Sequence, residues 1–135
     1  MTDFTDYAET NIRDWMSQGS DMPAAPANIY VALHTSDPGE SPDGTTEVNA
    51  ADYDRVSTTA GTDWDTTLNP TGFDNTNIIS FGQATNDWGT ISHVSLWDSS
   101  GGGNCMAAFS LDSSVTINTD DTLEFNAGEL SFDIE

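Results

Sequence analysis

With 135 residues the chain has the size of one ordinary domain, able to bury roughly two-thirds of its unfolded surface in a single core, which excludes two large domains. Asp and Glu total 23, against Arg13, Arg55 and no lysine, so the formal charge is -21. Such a charge repels phosphate and anionic headgroups, which excludes nucleic acid and lipid surfaces as expected partners, since both are held largely through Lys and Arg.

No apolar run approaches the roughly 18 to 20 residues of a membrane-crossing helix. Residues 1–10 are acidic and polar, without the basic and apolar segments of a secretory leader, so synthesis in the host cytoplasm is expected. Cys105 is the single cysteine, so the chain forms neither an internal disulfide nor a thiolate cluster. Four Trp, six Phe and three Tyr supply the apolar area that disordered chains lack. Acidity of this degree suits molar salt, because about 1 M salt shortens the screening length to roughly 3 Å and relieves self-repulsion. A halophilic origin is the expectation.

In chain order, Phe4, Ala8, Ile12 and Trp15, flanked by Tyr7 and Met16, recur at helical spacing and predict one amphipathic helix over 4–18. Gly19 stands where a left-handed C-terminal cap belongs. The following stretch to Asn28 carries Pro23 and Pro26 and reads as a linker. The period then changes to two. Strands are expected at 29–35, 54–59, 77–82, 91–97, 105–111, 115–118, 122–125 and 129–134. Between the first two lies a long polar loop, 36–54, with turn signals at Pro38-Gly39 and Asp43-Gly44, long enough to be a working surface. Short alternating strands joined by polar turns predict an antiparallel β-sandwich, organised as an N-terminal helix and linker (1–27) and a β domain (28–135).

Chemistry-bearing patterns are sparse. No G-x-S-x-G elbow singles out a serine, and His34 and His93 lie inside predicted strands, where a packed or edge histidine is the ordinary role. Cys105 precedes an apolar run and reads as a packing residue. Gly101-Gly102-Gly103 lacks the lysine of a phosphate loop. No enzyme activity and no cofactor are expected. Asp37, Glu40 and Asp43 share one loop and offer oxygen ligands to Ca²⁺, Mg²⁺, Na⁺ or K⁺, although their spacing is not that of an EF-hand. Trp64, Trp88 and Trp97 would serve a carbohydrate-binding module if they formed an exposed platform. Phe4, Ile12, Trp15 and Met16 are the candidate interface with other copies or with a capsid, the alternative being that this stripe covers an open face of the sandwich.

Tyr30-Val31-Ala32-Leu33-His34-Thr35-Ser36-Asp37-Pro38-Gly39, the segments 81–88 and 91–98, and Asp120-Asp121-Thr122-Leu123-Glu124-Phe125-Asn126-Ala127-Gly128 with its alternating last strand resemble small virion proteins of tailed double-stranded DNA viruses, the head-fibre and tail-fibre type. The resemblance covers residues 28–135; the acidic N-terminal helix lies outside it. It implies a structural subunit with a jelly-roll-like sandwich, from a tailed virus of a halophilic archaeon. The expected place is the exterior of the virion head, as a decoration, turret or head-fibre-base protein, with a tail or tail-fibre-base component as the alternative. Its expected partners are copies of itself in a symmetric homo-oligomer, a ring or trimer, and the major capsid protein.

Overall fold

The computed structural model describes residues 2–134. The chain runs β1 (Thr2–Phe4), α1 (Asp6–Gln18), β2 (Asn28–His34), β3 (Val56–Thr59), β4 (Trp64–Asp65), β5 (Gly72–Asn75), β6 (Ile79–Gln83), β7 (Gly89–Trp97), β8 (Cys105–Ile117), β9 (Thr122–Phe125) and β10 (Ser131–Asp133). All pairings are antiparallel: a five-stranded sheet in the order β1-β8-β7-β2-β3, a three-stranded sheet β10-β5-β4 and a two-stranded sheet β6-β9. The architecture is the expected one, mainly β and sandwich-like with one helix near the N-terminus.

The two small sheets share one core with the large one. Val31 and Leu33 of β2 and Ile91, Val94 and Leu96 of β7 pack with Trp64, Ile79, Leu123, Phe125 and Phe132 of the small sheets. Phe132 joins the layers through aromatic contacts, edge-on to Phe109 with centroids 4.6 Å apart and stacked on Phe73 at 5.2 Å. A second, smaller cluster of Ala32, Trp97 and Cys105 lies apart from this core. Alternation along β2 sends Val31 and Leu33 to one face and Ala32 and His34 to the other, yet all four are buried, so β2 is covered on both faces.

Residues 36–54, the expected free loop, run along the edge of β2 and touch both its faces, with the Thr46 hydroxyl on His34 on the second and Val48 beside Leu33 in the core on the first. Thr35 N–H donates to the Thr46 carbonyl and Val48 N–H to the Leu33 carbonyl, His34 and Glu47 form a β-bridge, and Val48 enters the core. The polar loop is therefore laid along the sheet.

Three further expectations are corrected. The helix begins at Asp6, not at Phe4, because Phe4 pairs with Ala107 as the end of β1. Thr5, at the N-cap position, does not cap the helix: its hydroxyl turns to the carbonyls of Cys105 and Met106, fastening the helix start to β8. The Asp6 N–H is satisfied instead by the Glu40 carbonyl at 2.8 Å, and the Ser41 hydroxyl donates to the Asp6 carboxylate. Strands 105–111 and 115–118 are one strand, β8: Ile91 faces Val115 and His93 faces Ser110, so residues 111–114, with polar Asp112, Ser113 and Ser114, form a bulge opposite Ser92 rather than a turn. The short strands β1, β4 and β5 carry no period-two signal. The C-terminal glycine cap is as expected, with Gly19 at φ 68° and its N–H on the Asp14 carbonyl.

Candidate docking site

The body of the protein holds its few chemically distinctive residues in structural roles. Arg55 lies just before β3 with its side chain 5 % exposed, and it makes a two-point ion pair with Glu47, Nε to Oε1 at 2.9 Å and Nη2 to Oε2 at 2.8 Å. Its Nη1 donates to the carbonyls of Ser99 and Gly102 in the β7–β8 hairpin, and its guanidinium lies 4.0 Å from the Trp97 ring centroid. The Tyr53 hydroxyl donates to Glu47 and accepts the Leu33 N–H, and burial with the adjacent carboxylate pushes its pKa upward. One arginine thus fastens the long loop, the edge of the large sheet and the hairpin tip together. Asp52 does similar work nearby, accepting Thr85 N–H, Asn86 Nδ2 and Trp88 Nε1; these bonds hold its carboxyl well below the usual carboxylate range.

His34 is fully buried, with Nδ1 2.9 Å from the Thr46 hydroxyl and Nε2 2.5 Å from the Ser95 hydroxyl, which also accepts Trp97 Nε1–H. Desolvation pushes its pKa down to about 4 against the raising influence of Glu47, so the ring is neutral at pH 7. Cys105 is buried and its thiol is pushed up to about 12 by desolvation, the opposite of an activated nucleophile. Trp64, Trp88 and Trp97 are 8, 4 and 2 % exposed, so the exposed sugar platform does not form; these rings pack in the core and the smaller cluster.

The candidate cation loop also takes another form. Asp37 accepts the Gly39 N–H and Asp43 the Thr45 N–H, each closing a turn. Asp37 and Glu40 line a polar cavity of about 290 Å³ with His93 and Ser110, but Asp43 is not among its lining residues. Among the described residues, no group of three or more His, Cys, Asp or Glu side chains is placed to hold a metal ion.

Leu68, Ile78 and Ile134 are exposed singly elsewhere, whereas α1 and the linker after it leave Trp15, Met16 and Met22 exposed close together in the chain. None of the α1 residues is fully buried: Tyr7, Ala8 and Ile12 are half-buried, whereas Trp15 and Met16 are 58 and 74 % exposed. Of the four candidate interface residues, Phe4 and Ile12 line an apolar cavity of about 480 Å³ with the linker residues Met22 and Pro26, and Trp15 and Met16 stand outside it. A second apolar cavity of about 280 Å³ adjoins the first through Phe4, Pro26 and Met106 and opens between the sheets beside Phe132 and Ile134. Sequence reasoning missed the linker's part in this groove. Its signal was Met22, an apolar residue isolated among small and proline residues.

The arrangement offers chemistry for binding and anchoring: an acidic shell with Arg13 as the one exposed Lys or Arg side chain among the described residues, and an apolar groove under one helix. No curated protein shows significant similarity to the chain. A family model, that of the podophage GP4 fiber I protein gp80, matches residues 3–133, α1 included, so the N-terminal helix is part of the family pattern and the chain belongs to this family of structural virion fibre proteins.

Proposed function

We propose that the chain is an exterior subunit of the virion head, a decoration, turret or head-fibre-base protein, of a tailed virus that lives at molar salt in a halophilic archaeal host. The observation that carries this reading is the distribution of charge. Of two cations, Arg55 is consumed in a buried ion pair and Arg13 is paired with Asp14 at 2.7 Å, so the surface toward any neighbour is almost wholly anionic. Such a surface is repelled by packaged phosphates and faces brine at least cost. In this role the chain works as a symmetric homo-oligomer contacting the major capsid protein, without cofactor, catalytic residue or nucleic-acid contact. The fibre description of the family favours a second reading, a tail or tail-fibre-base component.

Fractionation of sheared particles into heads and tails, with the chain quantified by mass spectrometry in each, tests the proposal. A fixed ratio to the major capsid protein in the head fraction is the expected result. Recovery with the tails selects the second reading, and absence from both fractions overturns the proposal.

A further inference from the structure

We propose that the groove beneath α1 receives Trp15 of a second copy of this chain, in a two-fold dimer with the two α1 helices antiparallel. The groove is walled by Tyr7, Ala8 and Ile12 on the helix, Met22 and Pro26 on the linker and Met106 on β8, and Asp98 is the one charged residue lining it. Trp15 follows Asn11 by four residues and Ala8 by seven, so it continues the groove-lining side one turn further, where its own chain offers it little cover. One continuous face therefore carries both an apolar groove and a largely exposed indole, and the groove, at about 480 Å³, has room for an indole.

The symmetry follows from that contiguity. A two-fold axis through the face places each Trp15 in the other copy's groove and satisfies both at once. A head-to-tail arrangement would ask the same short face to serve two neighbours. Charge selects the occupant as well. Asp6, Glu9 and Arg13, spaced three and four apart, share the opposite, solvent-facing side of α1, which leaves Asp14, paired with Arg13, and Asp98 as the carboxylates near this face, so two copies of charge -21 meet here with least repulsion at molar salt. A basic partner would be drawn to the acidic remainder of the surface instead.

Each buried aromatic removes roughly 150 to 250 Å² from water. Two of them, already partly covered in their own chains, with Met16 and Met22 beside them, give a contact smaller than the roughly 1,200 to 2,000 Å² of stable interfaces. The dimer is therefore weak and reversible on dilution. This deepens the self-association part of the proposed function and is independent of where on the particle the chain sits.

Sedimentation analysis of the full chain in molar salt, over a dilution series from hundreds of micromolar downward, is the test. The expected result is a monomer–dimer equilibrium, weakened about tenfold or more by Trp15→Ala. Ala25→Glu, which puts a charge into the groove from the exposed linker, has the same effect. Neither residue is buried, so both variants keep the unfolding curve of the parent. The two variants mixed associate more tightly than either alone, because the intact Trp15 of one meets the intact groove of the other. A parent that stays monomeric, a trimer or open ladder, or a mixture no tighter than its components overturns the proposal. Head or tail fractionation moves none of these readings, so the two proposals fail separately.

Discussion

Replacing Arg55 by methionine should cost about 4 kcal/mol of stability. The substitution keeps an apolar stem against Trp97 and removes both bonds to Glu47, whose side chain is 14 % exposed and cannot be fully rehydrated. Removing one partner of a buried pair typically costs about 3 to 5 kcal/mol, because the other charge is stranded. Loss of the guanidinium over the indole adds about 1 to 2 kcal/mol. Partial solvent access to Glu47 offsets part of this, and water replaces the donor at the exposed Gly102 carbonyl. For a domain of this length the melting temperature should fall by roughly 12 to 20 °C. Urea unfolding in molar salt, followed by tryptophan fluorescence, measures the effect without adding a second electrolyte. Glu47→Gln with Arg55→Met should cost about 2 kcal/mol less than the sum of the single changes, since no charge is left buried. A loss under about 1 kcal/mol for Arg55→Met, the size expected of an exposed pair, would refute the reasoning.

Lowering pH should weaken the fold through His34. The folded ring has its pKa pushed from 6.5 to about 4, so its contribution is complete above pH 6.5 and is lost as pH falls toward 4. The loss amounts to about 3 kcal/mol at about 1.36 kcal/mol per pH unit, and His34→Gln should flatten the stability profile in that window; Glu47, Arg55 and His93 act on the same ring and remain in the variant. Cys105 should resist a thiol reagent at pH 8 in the folded protein and react within the dead time once urea unfolds it; prompt reaction without denaturant would contradict its burial. Thermal stability should rise as salt goes from about 0.1 M to about 1 M, because the screening length falls from about 10 Å to about 3 Å. Equal melting temperatures at both salt concentrations would remove the physical argument for a halophilic setting.

The strands readable in the sequence are those whose burial forces a pattern. β7 and β9 coincide closely with their apolar runs, and the end of the chain alternates with Leu130 and Phe132 inward. β2 reads as a strand although both its faces are covered, because its apolar run is bounded by a proline-containing linker and a polar loop. The strands that escaped notice are short and specified by pairing. In β5, Gly72 stands where a Cβ would collide with the Phe132 carbonyl and the Asn69 side chain, a tertiary requirement with no local signature. The bulge of β8 was hidden for a related reason, since Asp112, Ser113 and Ser114 look like a turn until the partner strand is known.

The candidate site was legible in its helical half only. Phe4, Ile12, Trp15 and Met16 form a visible stripe, but their division into groove wall and exposed knob depends on where the body ends. The meaning of Arg55 was equally invisible locally. Its trace in the sequence is that one of two cations in a lysine-free chain stands between Tyr53 and Val56 at the start of a strand, where a buried cation must find a partner.

Electron microscopy of intact particles held in molar salt tests the central claim most directly, because it reads position and symmetry together. The account predicts density for the acidic β domain outside the capsid shell, at its symmetry sites, with the α1 face turned inward on another subunit. Density inside the shell against the packaged genome, or particles that lack the chain altogether, would contradict it.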